Sequence, residues 1–121
     1  MRRAVRVGLV VQGLFYVLTG AWPLVSMRTF EALTGPKVDD WLVRMVGLLA
    51  AVIGAVLLLA LRAGRVTREI LVLAGGAAAS FAAIDLRYAL AGRIPPIYLA
   101  DAAAELVFLA LAGLAWRDRP R

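Results

Sequence analysis

The sequence contains no cysteine and no histidine, and these two absences narrow the chemistry that the protein can perform. Without cysteine, the chain forms no disulfide, supplies no thiolate nucleophile and offers no sulfur ligand to a metal. Without histidine, it lacks the commonest metal ligand and the side chain that titrates most readily near neutral pH. We therefore expect no metal site and no bound cofactor. Any acid–base chemistry must come from carboxylates, arginine, lysine or tyrosine.

Polar residues are also scarce. Of the 121 residues, 63% are hydrophobic, and the mean hydropathy is +0.84, whereas soluble domains are usually about 45–50% apolar. A chain this short cannot bury so much apolar surface in one core, because much of its surface stays exposed. The simplest solvent for that surface is lipid. At this length we expect a single domain, residues 1–121.

Four apolar runs are each long enough, at about 20 residues, to cross a bilayer as a helix. Helices are required because lipid offers no hydrogen-bond partner to a free backbone group. Since further spans follow the first, we expect the first to be retained and not cleaved as a signal peptide. The sequence thus predicts an all-α fold, a four-helix transmembrane bundle. Its spans lie at about Val7–Ser26, Trp41–Leu61, Ile70–Ala91 and Ile97–Trp116.

The distribution of basic residues predicts the orientation. Nine of the fourteen lie in the N-terminal segment, in the loop between the second and third spans, and in the C-terminal tail. Because basic loops stay in the cytoplasm, we expect both termini on the cytoplasmic side of a bacterial inner membrane. The net charge of +6 therefore suggests membrane lipids as partners, not nucleic acid. The nine residues are Arg2, Arg3, Arg6, Arg62, Arg65, Arg68, Arg117, Arg119 and Arg121.

Most acidic residues lie toward the opposite side, and three of them fall within the spans. Asp101 and Glu105 are four residues apart, so they share one helix face. Glu105 lies about 13 Å below the start of its span, close to the bilayer midplane. Asp85 continues a face of small residues in the third span. Such charges belong in the bundle interior, and we predict Arg44 as their partner, with Arg87 as the second choice.

Two further groups complete the predicted site. Gln12 and Tyr16 share a polar face of the first span, beneath or beside the acids. The outer loop 27–40 has apolar residues spaced as on a short interfacial helix, which would cover a pocket at this side of the bundle. Glu31 and Lys37 lie in that loop. The predicted ligand-binding residues are therefore Arg44, Asp85, Asp101, Glu105, Glu31, Lys37, Tyr16 and Gln12.

Two segments resemble patches found in small, uncharacterised bacterial four-span integral membrane proteins. The first is TGPKVDDWLVRMVG at residues 34–47, and the second is IPPIYLAD at residues 94–101. Together with the matching span pattern, this resemblance covers most of the chain. It implies a four-helix membrane fold and carries no particular activity.

The residues leave three classes of function open. The favoured hypothesis is an outward-facing polar pocket that binds or transports a cation, a small molecule or a lipid headgroup. An enzyme is the second, since two acids can divide acid and base roles in a hydrolase or isomerase. The third is a structural or accessory subunit, working as a homodimer or with another membrane protein, in which the acids only form ion pairs.

Overall fold

The structure, a computed structural model, describes residues 2–118, and this range contains helices and turns but no strand. Four of its five helices are 21 to 23 residues long and apolar enough to cross a membrane. They confirm the all-α fold with four spans, and the protein is a small multi-pass membrane protein. The helices are α1 (Arg3–Val25), α2 (Met27–Thr34), α3 (Asp40–Arg62), α4 (Arg68–Leu90) and α5 (Ile97–Arg117).

The helices end where the sequence supplies a local reason. Gly35, with φ of 91°, follows α2, and glycine adopts this left-handed conformation without steric cost. The hydroxyl of Thr67 accepts a hydrogen bond from the amide of Ile70 at the start of α4. Helix α5 begins directly after Pro96. The short helix α2 thus forms inside the loop where the sequence predicts one.

Helix α1 packs antiparallel along α3, and glycines make this contact close. Gly13 lies against Gly54, such that a Cβ added to Gly13 would be 3.1 Å from the Gly54 carbonyl oxygen. Two turns further along, Gly20 lies in the same way against Gly47. Small residues let transmembrane helices approach until their backbones touch. Helix α5 packs in a similar antiparallel pair with α4.

The two ends of the bundle differ. At the end that carries both chain termini, which we call the termini end, buried aliphatic side chains fill the interior. Arg2 pairs there with Asp118, at 2.9 Å between Nε and Oδ2. Arg119 and Arg121, which the sequence predicts on the cytoplasmic side, lie outside the described residues. The buried aliphatic residues are Val5, Leu9, Leu57, Leu61 and Leu71.

Candidate ligand site at the α2 end

The opposite end of the bundle, which we call the α2 end, contains a cavity of about 640 Å³. It lies between α1, α3 and α5, with α2 across its top. Most of its lining is apolar or aromatic, including Phe15, Phe30 and Phe81, whereas its deepest polar groups are Tyr16 and Glu105. A space of this size is typical of sites for small organic molecules.

Three carboxyl groups converge beside the cavity, as the face pattern predicts. Glu105 and Asp85 are only 2% and 6% exposed, and Asp101, half-buried, lines the cavity between them. The Asp101 carboxyl lies within hydrogen-bonding reach of both Asp85 and Glu105. Asp85 reaches this cluster because it lies one turn beyond Ala78 and Ala82, which are buried against the bundle. We call Asp85, Asp101 and Glu105 the carboxyl cluster.

A buried hydrogen-bond chain connects the cluster to α1. The Tyr16 hydroxyl donates to Glu105 Oε1 at 2.6 Å. The Gln12 side-chain amide donates to the Tyr16 hydroxyl at 3.3 Å and to the carbonyl oxygen of Ala74 at 2.9 Å. The chain therefore ties α1 to both α4 and α5, and it places Gln12 and Tyr16 beneath the acids as predicted.

No basic side chain completes the cluster. Within residues 2–118, no ion pair joins Arg44 or Arg87 to any of its three acids, and both arginines are exposed. Arg87 instead lies beside the ring of Tyr88, at 5.7 Å from its centroid. The prediction that Arg44 partners the buried acids is therefore wrong. Arg44 is near one end of its span, where a long side chain can reach the polar interface and need not turn inward.

One buried carboxyl oxygen of the cluster accepts no hydrogen bond from a described residue. Asp85 Oδ2 is buried, and no described residue donates a hydrogen bond to it. Two carboxyl groups within hydrogen-bonding reach attract only if one holds a proton, or if a cation lies between or beside them. The carboxyl cluster is thus built to take up positive charge, as protons or as part of a ligand.

The mouth of the cavity is formed by α2 and by Lys37, the single lysine of the chain. Lys37 Nζ donates to the carbonyl oxygens of Thr34 and Gly35 at 2.7 and 3.0 Å, which caps the end of α2. The same ammonium lies 5.3 Å from the ring centroid of Tyr98 and 5.9 Å from that of Phe30. It therefore lines the rim, as the sequence predicts, with its charge engaged by carbonyls and rings.

Glu31, also predicted above the pocket, does not line the cavity. Its carboxyl group contacts that of Asp40 at the start of α3. The shared hydrogen bond with Asp40 raises the pKa of Glu31 above its usual value, while Lys37 and Arg44 act in the opposite direction. Glu31 thus lies near the start of α3, outside the cavity lining.

Aromatic rings around Tyr16 were not singled out by the sequence analysis. The Tyr16 ring centroid lies 5.4 Å from that of Phe81, 6.2 Å from that of Phe108 and 6.3 Å from that of Phe15. For Phe81 a signal was available, because it precedes Asp85 by four residues and so shares its face of α4. No such signal was available for Phe15, because it is adjacent to Tyr16 in sequence and therefore lies on a different face of α1.

Comparison of the chain with protein family models, with curated proteins and with solved structures found no match. The chemistry of the site is therefore inferred from its own residues. The resemblance of residues 34–47 and 94–101 to small bacterial four-span proteins stays a prediction.

Proposed function

We propose that this protein binds a hydrophobic organic cation in the cavity at its α2 end. The observation that carries the proposal is the carboxyl cluster, which has no basic partner among residues 2–118 and lies beside a largely apolar cavity. Two like charges 4 Å apart repel by about 4 kcal/mol even at an effective dielectric constant of about 20. A bound cation removes this repulsion, whereas the apolar walls favour a ligand with a hydrophobic body.

The aromatic rings support the same ligand class. Phe15, Tyr16 and Phe81 line the cavity together with Asp101 and Glu105, so their rings are available to a cation bound there. Ring faces attract organic cations by about 0.5–2 kcal/mol each, more when water is excluded. A small inorganic cation would leave these walls without a role.

Binding of tetraphenylphosphonium to the purified protein in lipid nanodiscs tests the proposal. We expect measurable binding to wild type, and Asp101→Asn should weaken it at least about 30-fold, because it removes a charge at the ligand. The matched control is Asp39→Asn, which removes one negative charge from an exposed residue outside the cavity lining and should leave the affinity unchanged.

Two results would contradict the proposal. One is that tetraphenylphosphonium fails to bind the folded wild-type protein. The other is that Asp39→Asn and Asp101→Asn weaken it equally, because the effect would then reflect net charge and not the cluster.

An acid-pair enzyme is the second candidate, favoured by one observation. The carboxyl groups of Asp85 and Asp101 are within hydrogen-bonding reach, which is the separation that shared acid–base work requires. Asp85, however, is not among the residues that line the cavity, so a substrate there would meet Asp101 and Glu105. Turnover of a membrane-embedded ester or amide that both Asp85→Asn and Asp101→Asn abolish would favour the enzyme over the binding protein.

We further propose that the protein lies in a bacterial inner membrane, with both termini in the cytoplasm and the cavity facing outward. The excess of arginine at the termini end supports this orientation. The cavity would then open toward the periplasmic half of the bilayer.

Single cysteines can test the orientation, because the natural chain has none. Val38, between α2 and α3, is 99% exposed, and Ala63, after α3, is exposed at the termini end. In intact bacterial cells, a membrane-impermeant maleimide should label Val38→Cys and not Ala63→Cys, and lysis should make both reactive. The reverse pattern would place the termini outside and overturn the proposed topology.

A further inference from the structure

The cavity reaches the side of the bundle, and not only its end. Some residues that line it are also exposed: Leu42 and Val46 of α3 by 44% and 48%, and Ile97 of α5 by 41%. Ala100 of α5 both lines the cavity and is exposed. Helix α3 packs mainly on α1, and α5 mainly on α4. The exposed lining residues of α3 and α5 therefore border the cavity at the side of the bundle, and we call this border the side opening.

The inner part of the side opening reaches the depth of the lipid chains. Val46 is about 9 Å along α3 from its first residue, and Ala100 is about 5 Å along α5 from its own. All four flanking side chains are apolar, so water has no polar partner there. A molecule that passes through this opening therefore comes from the bilayer, where its own apolar part is already dissolved.

The route from the water side is covered. Helix α2 lies across the top of the cavity, and it is held to α1 by the indole of Trp22, which donates to the Thr29 hydroxyl at 2.8 Å. The Ser26 hydroxyl accepts from the Thr29 amide at 3.3 Å and so caps α2. Lys37 places a positive charge at the rim. A cation approaching from water would meet this charge before it reached the carboxyl cluster.

We infer that the ligand is an amphiphilic ammonium compound dissolved in the membrane, which enters sideways between α3 and α5. Its ammonium group would lie against Asp101 and Glu105, and its alkyl chain would extend through the side opening into the lipid. The inference rests on the proposed cation site and adds the substrate class and the entry route. Charge complementarity selects the ammonium group, and the apolar flanks select the chain.

Two ammonium compounds with the same headgroup separate the inference from the proposed function. In nanodiscs, dodecyltrimethylammonium should displace tetraphenylphosphonium at a concentration at least about tenfold lower than tetramethylammonium, because only the former has a chain to bury. If the two compounds displace the probe equally well, the site exists but does not take an amphiphile from the membrane. If tetraphenylphosphonium itself does not bind wild type, the cation site fails and the inference fails with it.

Tryptophan substitutions test the route. Ala100→Trp should obstruct the side opening and weaken dodecyltrimethylammonium binding at least about tenfold, since bulk replaces the space for the chain. Ala103→Trp is the control, because Ala103 is equally exposed on α5 and does not line the cavity. If Ala100→Trp does not fold, Val46→Trp obstructs the opposite flank, with the exposed Leu48→Trp as its control. Equal effects of a flanking variant and its control would overturn the side route.

Discussion

Gly20→Leu should separate α1 from α3 and abolish the folded bundle in mild detergent. A Cβ at Gly20 would lie 2.8 Å from the backbone nitrogen of Ala51, and it would collide with the carbonyl oxygen of Gly47. These are backbone atoms of a packed helix, so no rotamer change can relieve the overlap. We expect a loss of at least about 3 kcal/mol in the free energy of unfolding, measured by unfolding in mixed micelles.

Gly76→Leu is the control for this experiment. Gly76 is also a glycine within a transmembrane helix, but a Cβ added there meets no atom within 4 Å. The Gly76→Leu variant should be as stable against unfolding as wild type or slightly more stable, since leucine has a higher helix propensity than glycine. If the two variants lose equal stability, the close contact of α1 with α3 is not what holds the bundle together. Separation of these helices would also open the cavity, because both contribute to its walls.

Removal of one partner from the Tyr16–Glu105 pair should destabilise the bundle more than removal of both. Glu105→Leu leaves the buried Tyr16 hydroxyl without its acceptor, and Tyr16→Phe leaves the Glu105 carboxyl without its donor. An unsatisfied buried polar group costs about 1–3 kcal/mol, and more when it is charged. The double variant Tyr16→Phe/Glu105→Leu leaves neither group behind, so it should recover most of that loss.

This double-mutant cycle separates a structural from a functional role of the acid. Unfolding in mixed micelles gives the four free energies, and the coupling between the two positions should be at least about 1 kcal/mol. The double variant should be as stable as wild type but unable to bind tetraphenylphosphonium, as expected of a group retained for function and not for stability. If the double variant is as unstable as the sum of the singles, the two positions are not coupled and the predicted interaction between Tyr16 and Glu105 is wrong.

The sequence predicts which acids form the carboxyl cluster, but it does not predict which charged groups surround them. Asp101 and Glu105 share a face because they are four residues apart, and Asp85 shares the small face of α4. Each of these is a property of one helix. Whether Arg44 joins them depends on how α3 is rotated about its axis relative to α1. Arg44 lies one turn from Gly47, which contacts Gly20 of α1, and yet its side chain is exposed, because near the end of a span a long side chain can reach the polar interface.

The cavity itself could not be predicted from residue patterns. It exists because α2 covers the space beside α1 and α3, where their glycines bring the two backbones together, while α5 stands apart from α3. Packing geometry of this kind depends on the shapes of several helices at once. The aromatic lining from Phe15 follows from the same geometry, and no periodic signal in α1 marks it.

By itself, the sequence determined the number of spans, their approximate ends and the inward direction of the acids. Hydropathy and length decide whether a segment enters lipid, and the cost of a charge in lipid decides which face turns inside. Only the tertiary structure decided that, among residues 2–118, three acids meet without a basic partner, that Lys37 lies at the rim and that exposed residues of both α3 and α5 line the cavity. These depend on the rotation and spacing of helices, which backbone contacts fix and no single-helix pattern encodes.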